Sequence, residues 1–397
     1  GAGRSLVAEE RAYPCYCTDE ELAADLQSTP GGEVAHYPGR CRSLTRRERD
    51  AREREGRKAA VRFRMPDLEV IEVTDEIRGS ITFPSSDFDD FILLRRDGRP
   101  TYNFAVVVDD ALMEITHVIR GAGHLSNTPR QALLFDALDR RRPHFVHLPT
   151  VLAPEGGKLS KRSGSASLDA LREAGYHPEG VVNYLSLLGW SSPDEREILG
   201  RLELVERIGL DRVGARDTTY DPEKLRWMSG QYLQAMDPDD LVRAVEPFVD
   251  RRRFPLSEEG LRAAVSALRS RLSTFADIVP HLETHLFPAE GPELRKARRE
   301  VGDDPRARRV LEAVARTLQA QRAWDAETLD RALREAGREI SEEGPGLFHP
   351  VRKALTGRES GPALGALMAA LGRDQVLARL RGPLAPASHG LAGPDRV

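Results

Sequence analysis

Lys158-Leu159-Ser160-Lys161-Arg162 places two ammonium groups on a short loop, with a hydroxyl between them, directly after the Gly156-Gly157 turn. Lysines so spaced suit the neutralising of a polyphosphate whose charge grows during reaction, and preorganised positive charge of that kind is a large catalytic term. As a bare pattern K-x-S-K arises on surface loops by chance, so its meaning depends on its surroundings. A second candidate is the set Cys15, Cys17 and Cys41, the chain's three cysteines, all within the first 41 residues. An odd number with no secretory leader argues against a disulfide framework. Three thiolates and one harder donor, with His36 and Tyr37 nearby in sequence, fit tetrahedral zinc. C-x-C is tighter than the usual C-x-x-C, so three buried thiols remain an equal alternative.

These groups need elements to hold them. Thr18 with Glu21 three places on is a capping box and predicts a helix over 18–29. The densely charged stretch 43–58 predicts a second, solvated helix. Alternation at Val61, Phe63 and Met65, at Ile71 and Val73, and in the runs at 81–83 and 91–94 predicts strands. Residues 1–100 therefore read as a small α+β module. From 101 to 154 the order becomes helix, strand, helix, strand. Thr116 to Arg120 is β-rich, and a helix start follows at Ser126 to Pro129. His147 to Leu152 is the second strand. Ligands in such parallel α/β sheets collect at strand carboxyl ends, where Arg120 and the Lys158 loop fall. Two strands make only half of a doubly wound sheet. After residue 165 the apolar spacing is helical nearly throughout, and the Gly/Pro-rich tail 381–397 is expected to be disordered.

A chain of 397 residues should divide into two to four domains. Its 40% hydrophobic content can bury sizeable cores, and 31% charged residues with few aromatics favour helix-rich architecture. No apolar run approaches the ~18–20 residues of a membrane span, so the chain reads as cytoplasmic with no membrane partner. A net charge of −4 does not advertise nucleic-acid binding, although basic clusters at 140–142, 251–253 and 296–299 leave local patches. The chain opens on Gly1 and its first methionine is Met65, which suggests a partial chain.

Several stretches resemble the bacterial glutamyl-tRNA synthetases, class I aminoacyl-tRNA ligases. They include Tyr13-Pro-Cys-Tyr-Cys17, Ile81-Thr-Phe-Pro84, the run from Thr101 to Asp110, His117-Val-Ile-Arg-Gly121 and His124 to Gln131. Lys158 to Arg162, Val182 to Leu185, Asp221 to Leu225 and Phe348 to Arg352 continue the series. The resemblance covers residues 1 to about 380. It implies α/β plus all-α architecture: a partial class I Rossmann-like catalytic domain with an α+β insertion, then helical stem-contact and anticodon-binding domains. Residues 1–100 would be the acceptor-binding insertion with a zinc knuckle, and 101–154 the second half of the catalytic domain. Residues 155–237 would be the stem-contact domain with the KLSKR loop, 238–380 the anticodon-binding domain, and 381–397 a tail. The implied chemistry is ligation of L-glutamate to tRNA(Glu) through glutamyl-adenylate, with ATP as substrate, Mg2+ accompanying it, and tRNA required for activation. Lys161 would contact ATP phosphates, with Lys158 and Ser160 completing the catalytic loop. Tyr102, Arg120 and His124 would bind substrate, Arg120 through a carboxylate. Cys15, Cys17, Tyr37 and Cys41 match the zinc ligands of part of that family, which favours Zn2+ over plain thiols. Nothing points to an oligomer, so a monomer is expected.

The pattern departs from that family in three places. No H-x-G-H signature occurs among the ten histidines, which truncation before residue 1 would explain, and such a chain would be inactive alone. Gly121-Ala122-Gly123-His124 replaces a Gly-Glu-Asp-His type sequence, and Glu114 stands where the family usually has glycine. The alternative reading is a non-catalytic tRNA-binding paralogue. The long helical stretch beyond 238 speaks against a queuosine-glutamylating relative, and the lack of a strand-rich C-terminus against a glutaminyl ligase.

Overall fold

The computed structural model describes residues 1–27, 37–159 and 167–384. The helix expected at 18–29 is α2, Asp19–Gln27, beyond α1 (Ala2–Ala8) and β1 (Ala12–Cys15). Its capping box is formed in both directions: Thr18 N donates to Glu21 Oε2 at 2.8 Å, and Glu21 N to Thr18 Oγ1 at 3.2 Å. The charged helix α3 is shorter than 43–58, running Arg46–Arg54 from its own Thr45/Glu48 capping box. The strands then follow: β2 (Ala60–Phe63), β3 (Val70–Asp75), β4 (Gly79–Pro84) and β5 (Ile92–Leu94).

The segment that positions the lysine loop runs α4 (Tyr102–Leu112), β6 (His117–Gly121), α5 (Thr128–Ala137), β7 (His144–Leu148) and β8 (Val151–Leu152). The single strand expected from His147 to Leu152 is two. Pro149 has no N–H with which to continue a ladder, so β7 ends before it and β8 pairs elsewhere, with β9 (Thr218–Thr219). The parallel pair β6–β7 is extended by two strands from before residue 100, giving the order β4-β3-β7-β6. β3 and β4 form an antiparallel hairpin, while β3 and β6 both run parallel to β7. Leu6, Phe63, Ile71, Val73, Leu93, Phe104, Leu134 and Phe145 are buried in one core around this sheet.

Two compact units share the chain. The first comprises Gly1–Lys158, Leu187–Arg196 and Val205–Tyr220; the second comprises Leu159–Ser186, Glu197–Leu204 and Asp221–Val397. The remaining helices are α6 (Leu168–Glu173), α7 (Pro178–Ser186), α8 (Arg201–Arg207), α9 (Pro222–Ala235) and α10 (Pro238–Val245). Then come α11 (Glu258–Leu268), α12 (Ile278–His285), α13 (Pro292–Asp303), α14 (Pro305–Gln319), α15 (Ala326–Glu339), α16 (Gly344–Thr356), α17 (Leu364–Leu371) and α18 (Arg373–Arg381). Three begin on an Asp-Pro step. Asp221, Asp237 and Asp304 each cap backbone N–H groups, and the proline occupies the first turn, where its missing donor costs nothing. From Leu233 to Leu380 one apolar core runs through the second unit, as the helical spacing required. Of the tail expected to be disordered from 381, Arg381 closes α18 and Gly382–Leu384 form a 3-10 turn, and from residue 385 it lies outside the described residues.

Candidate active site and cysteine cluster

Arg120 and His147 are register partners on β6 and β7, one residue from the carboxyl end of each strand. Asp75 reaches them by alternation. Ile71 and Val73 point from β3 into the core, so Asp75, next on that face, is buried as well. Its carboxylate meets four donors. Oδ1 accepts from the backbone of Ile77 and Arg78 at 3.0 and 2.9 Å. Oδ2 accepts from His147 N at 3.0 Å and from His147 Nδ1 at 2.6 Å. Burial alone would raise the Asp75 pKa; His147 and the two backbone donors outweigh it and hold the group below the usual carboxylate range. Burial pushes the His147 pKa down, against the pull of Asp75. Both shifts describe one state, a neutral imidazole beside an ionised carboxylate.

The other imidazole nitrogen, Nε2, faces Arg120 Nε at 3.1 Å and Thr128 Oγ1 at 3.0 Å. Arg120 Nη2 donates to Thr128 Oγ1 and to Gln131 Oε1, each at 2.8 Å. Thr128 and Gln131 stand three apart at the start of α5, hence on one face. Gln131 Nε2 donates in turn to Asn103 Oδ1 at 3.0 Å. Asn103 follows Tyr102, whose side chain interacts with Arg120. Tyr102 and His124 rings lie 6.4 Å apart. Lys158 closes the group: a Cβ placed on Gly123 would stand 3.5 Å from its Nζ. The structure thus brings Tyr102, Arg120, His124 and Lys158 together. Ser160 and Lys161 lie outside the described residues.

The cysteine cluster forms separately, where β1 ends. Cys17 Sγ and Cys41 Sγ are 3.6 Å apart, and all three sulfurs lie within 4.8 Å of one another. Tyr37 Oη sits 3.6 Å from Cys15 Sγ and 3.8 Å from Cys17 Sγ, and accepts from Cys41 N at 3.1 Å. Arg62, buried on β2, donates from Nε to Cys15 Sγ at 3.3 Å and stacks its guanidinium 3.8 Å from the centre of the Tyr37 ring. A hydrogen bond from Cys41 is the largest influence lowering the Cys15 thiol to about 4, with Arg62 contributing. Tetrahedral zinc with bonds of about 2.3 Å to sulfur and 2.0 Å to oxygen needs S···S edges near 3.8 Å and S···O edges near 3.5 Å. The donor set fits that ion. His36 lies outside the described residues.

Asp75, His147, Thr128, Gln131 and Arg62 carried no assigned role in the sequence reading. The signal for Asp75 was present, since a carboxylate continuing the Ile71/Val73 face has to be buried.

Residues 3–227 match the family described as "tRNA synthetases class I (E and Q), catalytic domain", and residues 240–384 match an anticodon binding domain. The fold is therefore a class I catalytic domain followed by an anticodon-binding one. A glutamate–tRNA ligase of Heliobacterium modesticaldum is 41% identical over 387 residues, 96% of this chain and 78% of that protein. One from Moorella thermoacetica is 39% identical, over 94% of this chain and 78% of its own. A solved glutamate tRNA ligase from Elizabethkingia meningosepticum, in complex with its amino acid, superposes with a TM-score of 0.84 at 26% identity, covering 96% of this chain and 82% of that one. The chain belongs to the glutamate–tRNA ligases, class I aminoacyl-tRNA synthetases that charge tRNA with glutamate.

Proposed function

We propose that Arg120, Tyr102, His124 and Lys158 form the substrate side of an adenylate-forming site for L-glutamate and ATP, completed by Ser160 and Lys161. Arg120 holds a substrate carboxylate, Tyr102 adds a hydrogen bond to the same amino acid, and His124 lines the nucleotide pocket. A glutamate α-carboxylate oxygen attacks the α-phosphorus of ATP, and the bond to the bridging oxygen breaks to release pyrophosphate. A ribose hydroxyl of the tRNA(Glu) terminus then attacks the acyl carbon, loses its proton, and AMP leaves. Lys161 counters charge on the departing phosphates, and Lys158 supports its loop. Mg2+ accompanying ATP would supply further neutralisation of phosphate charge.

The observation carrying this reading is the gathering of Arg120, Tyr102, His124 and the Lys158 ammonium at the carboxyl ends of β6 and β7. Residues 1–100 would hold the acceptor end, 155–237 contact the stem, and 238–380 bind the anticodon. Zinc held by Cys15, Cys17, Cys41 and Tyr37 would tie β1 to the segment before α3, a structural role. No described helix is long and apolar enough to cross a membrane, which supports a cytoplasmic enzyme, and we read it as a monomer.

The test is tRNA-dependent exchange of pyrophosphate into ATP by the chain completed with the family's H-x-G-H segment, with and without Lys161→Ala. Loss of one transition-state charge contact should lower kcat by at least ~10²-fold. An unchanged kcat removes Lys161 from the mechanism. Absence of exchange after the family's H-x-G-H segment has been supplied, with tRNA binding retained, favours a non-catalytic paralogue, the reading to which Ala122 and Gly123 lend support.

A further inference from the structure

We infer that His147, locked by Asp75, is a positioning residue that fixes the Arg120 guanidinium for the substrate carboxylate. The inference rests on the reading of Arg120 given above, and adds two residues to it.

The Asp75 carboxylate only accepts, and its partners include two backbone N–H groups as well as His147 N, so the proton between Asp75 Oδ2 and His147 Nδ1 belongs to the imidazole. In a neutral ring that leaves Nε2 as an acceptor, aimed at Arg120 Nε at 3.1 Å. Nη2 is committed to Thr128 and Gln131. Hydrogen bonds on two of its three nitrogens hold the guanidinium plane. Tyr102 engages the same guanidinium, so a ligand carboxylate reaching Arg120 meets it beside the Tyr102 side chain rather than across a free fork.

The choice of acceptor matters as much as its place. A carboxylate at position 147 would also orient Arg120, but it would cancel the positive charge that the substrate needs. A neutral imidazole orients the cation without adding a second carboxylate to Asp110, which already acts on Arg120. Asp75, one ring further away, sets the tautomer. The same chain of bonds runs through Gln131 to Asn103, so the helix carrying Tyr102 is tied to the same network.

The experiment measures KM for L-glutamate, KM for ATP and kcat in glutamylation by the chain completed with the family's H-x-G-H segment, as parent and as four variants. His147→Asn keeps a donor for Asp75 but has no acceptor at the Nε2 position. Asp75→Asn puts an amide among the four donors and favours the wrong tautomer. Each should raise KM for glutamate about tenfold or more, with kcat and KM for ATP within about threefold, as for lost uniform binding. His147→Gln, whose amide oxygen reaches toward the Nε2 position, should recover most of the loss. Equal rises in both KM values, or no rescue by glutamine, would overturn the inference. Arg120→Lys separates the two layers. If it leaves KM for glutamate unchanged, the reading of Arg120 fails; if it raises KM while His147→Asn does not, only the role of His147 fails. A measurement on the unmutated chain needs neither turnover nor a variant: ¹⁵N spectra of labelled histidine should show His147 as a neutral Nδ1–H tautomer. An Nε2–H or doubly protonated ring refutes the arrangement.

Discussion

Replacing Arg62 by methionine should loosen zinc in the cysteine cluster without unfolding the domain. Three thiolates and a divalent ion leave at least one net negative charge in a buried site. Arg62 is the guanidinium in contact with it, 3.3 Å from Cys15 Sγ and stacked on Tyr37. At an effective dielectric of about 20, unit charges at that distance attract by roughly 5 kcal/mol. Most of that offsets the desolvation of both groups, and a hydrogen bond to a charged partner nets about 1.5–3 kcal/mol. The expected loss of zinc affinity is therefore about 10- to 100-fold, the range for groups that orient metal ligands from behind. Competition with a chromophoric chelator at neutral pH reads the affinity directly. Arg64→Met is the control: it removes the same charge nearby, but Arg64 bonds to the Glu10 and Arg42 carbonyls and touches no sulfur. Arg62 also donates to the Asp90 carbonyl at 2.7 Å, so thermal melts of both variants must accompany the titration. Equal zinc affinities in the two variants would refute the electrostatic argument, and no zinc uptake by the parent chain would remove the metal site.

Glu114→Gly should stabilise the first unit by about 0.5–1 kcal/mol in urea melts, because Glu114 holds a left-handed φ of 55° that costs a side chain ~1–2 kcal/mol, partly offset by the entropy of glycine. Asp75→Asn should destabilise by about 3 kcal/mol at pH 7, the scale of a buried, charged acceptor losing its donors. The Asp75 pKa is depressed in the folded state, so its contribution is complete above the unfolded value near 3.9 and is lost as pH falls through the folded one. The gap between parent and variant should accordingly shrink in melts taken from pH 6 down to pH 3, and a constant gap would contradict the assignment. Binding of tRNA should weaken linearly on a log–log plot against salt, since phosphate contacts release counterions; a flat response would argue against a basic footprint.

What the sequence disclosed depended on whether a residue's role was local. Capping at Thr18/Glu21 is decided within four residues, and it forms as read. The apolar helical spacing beyond 165 is local in the same sense. Pairing is not. Nothing in the alternation of Ile71 and Val73 tells which strand β3 will lie beside, and it lies beside β7, about 70 residues on. The polar network at Arg120 follows from that pairing. Asp75 meets His147 across 72 positions, and Arg120 meets it across 27. His147 looked like the first residue of an apolar strand because its partners come from elsewhere. Family resemblance pointed to Arg120, whereas the residues behind it needed coordinates. The cysteines were legible as a set, and Arg62, 47 positions from Cys15, was not.

The two internal departures from the family pattern act on different physical quantities. At the end of α4, Ile115 N bonds to Asp110 O at 3.0 Å, which turns the chain back over the helix terminus and requires the intervening Glu114 to be left-handed. Glycine fills such a position without strain, so glutamate there is a cost in stability borne by the backbone. The loop at 121–124 is the opposite case. Gly121 has an ordinary extended φ of −66°, Gly123 is not left-handed either, and Ala122 continues into a 3-10 turn. Backbone geometry asks for no particular residue at 122 or 123. A carboxylate at 123 would project toward the Lys158 ammonium, given a Cβ only 3.5 Å from it. Among the described residues Lys158 has no acidic partner, so the Ala122-Gly123 pair leaves its charge available to whatever enters the site. Measured stability should therefore answer to position 114 and phosphate affinity to position 123, and swapping the two readouts would show the assignment to be wrong.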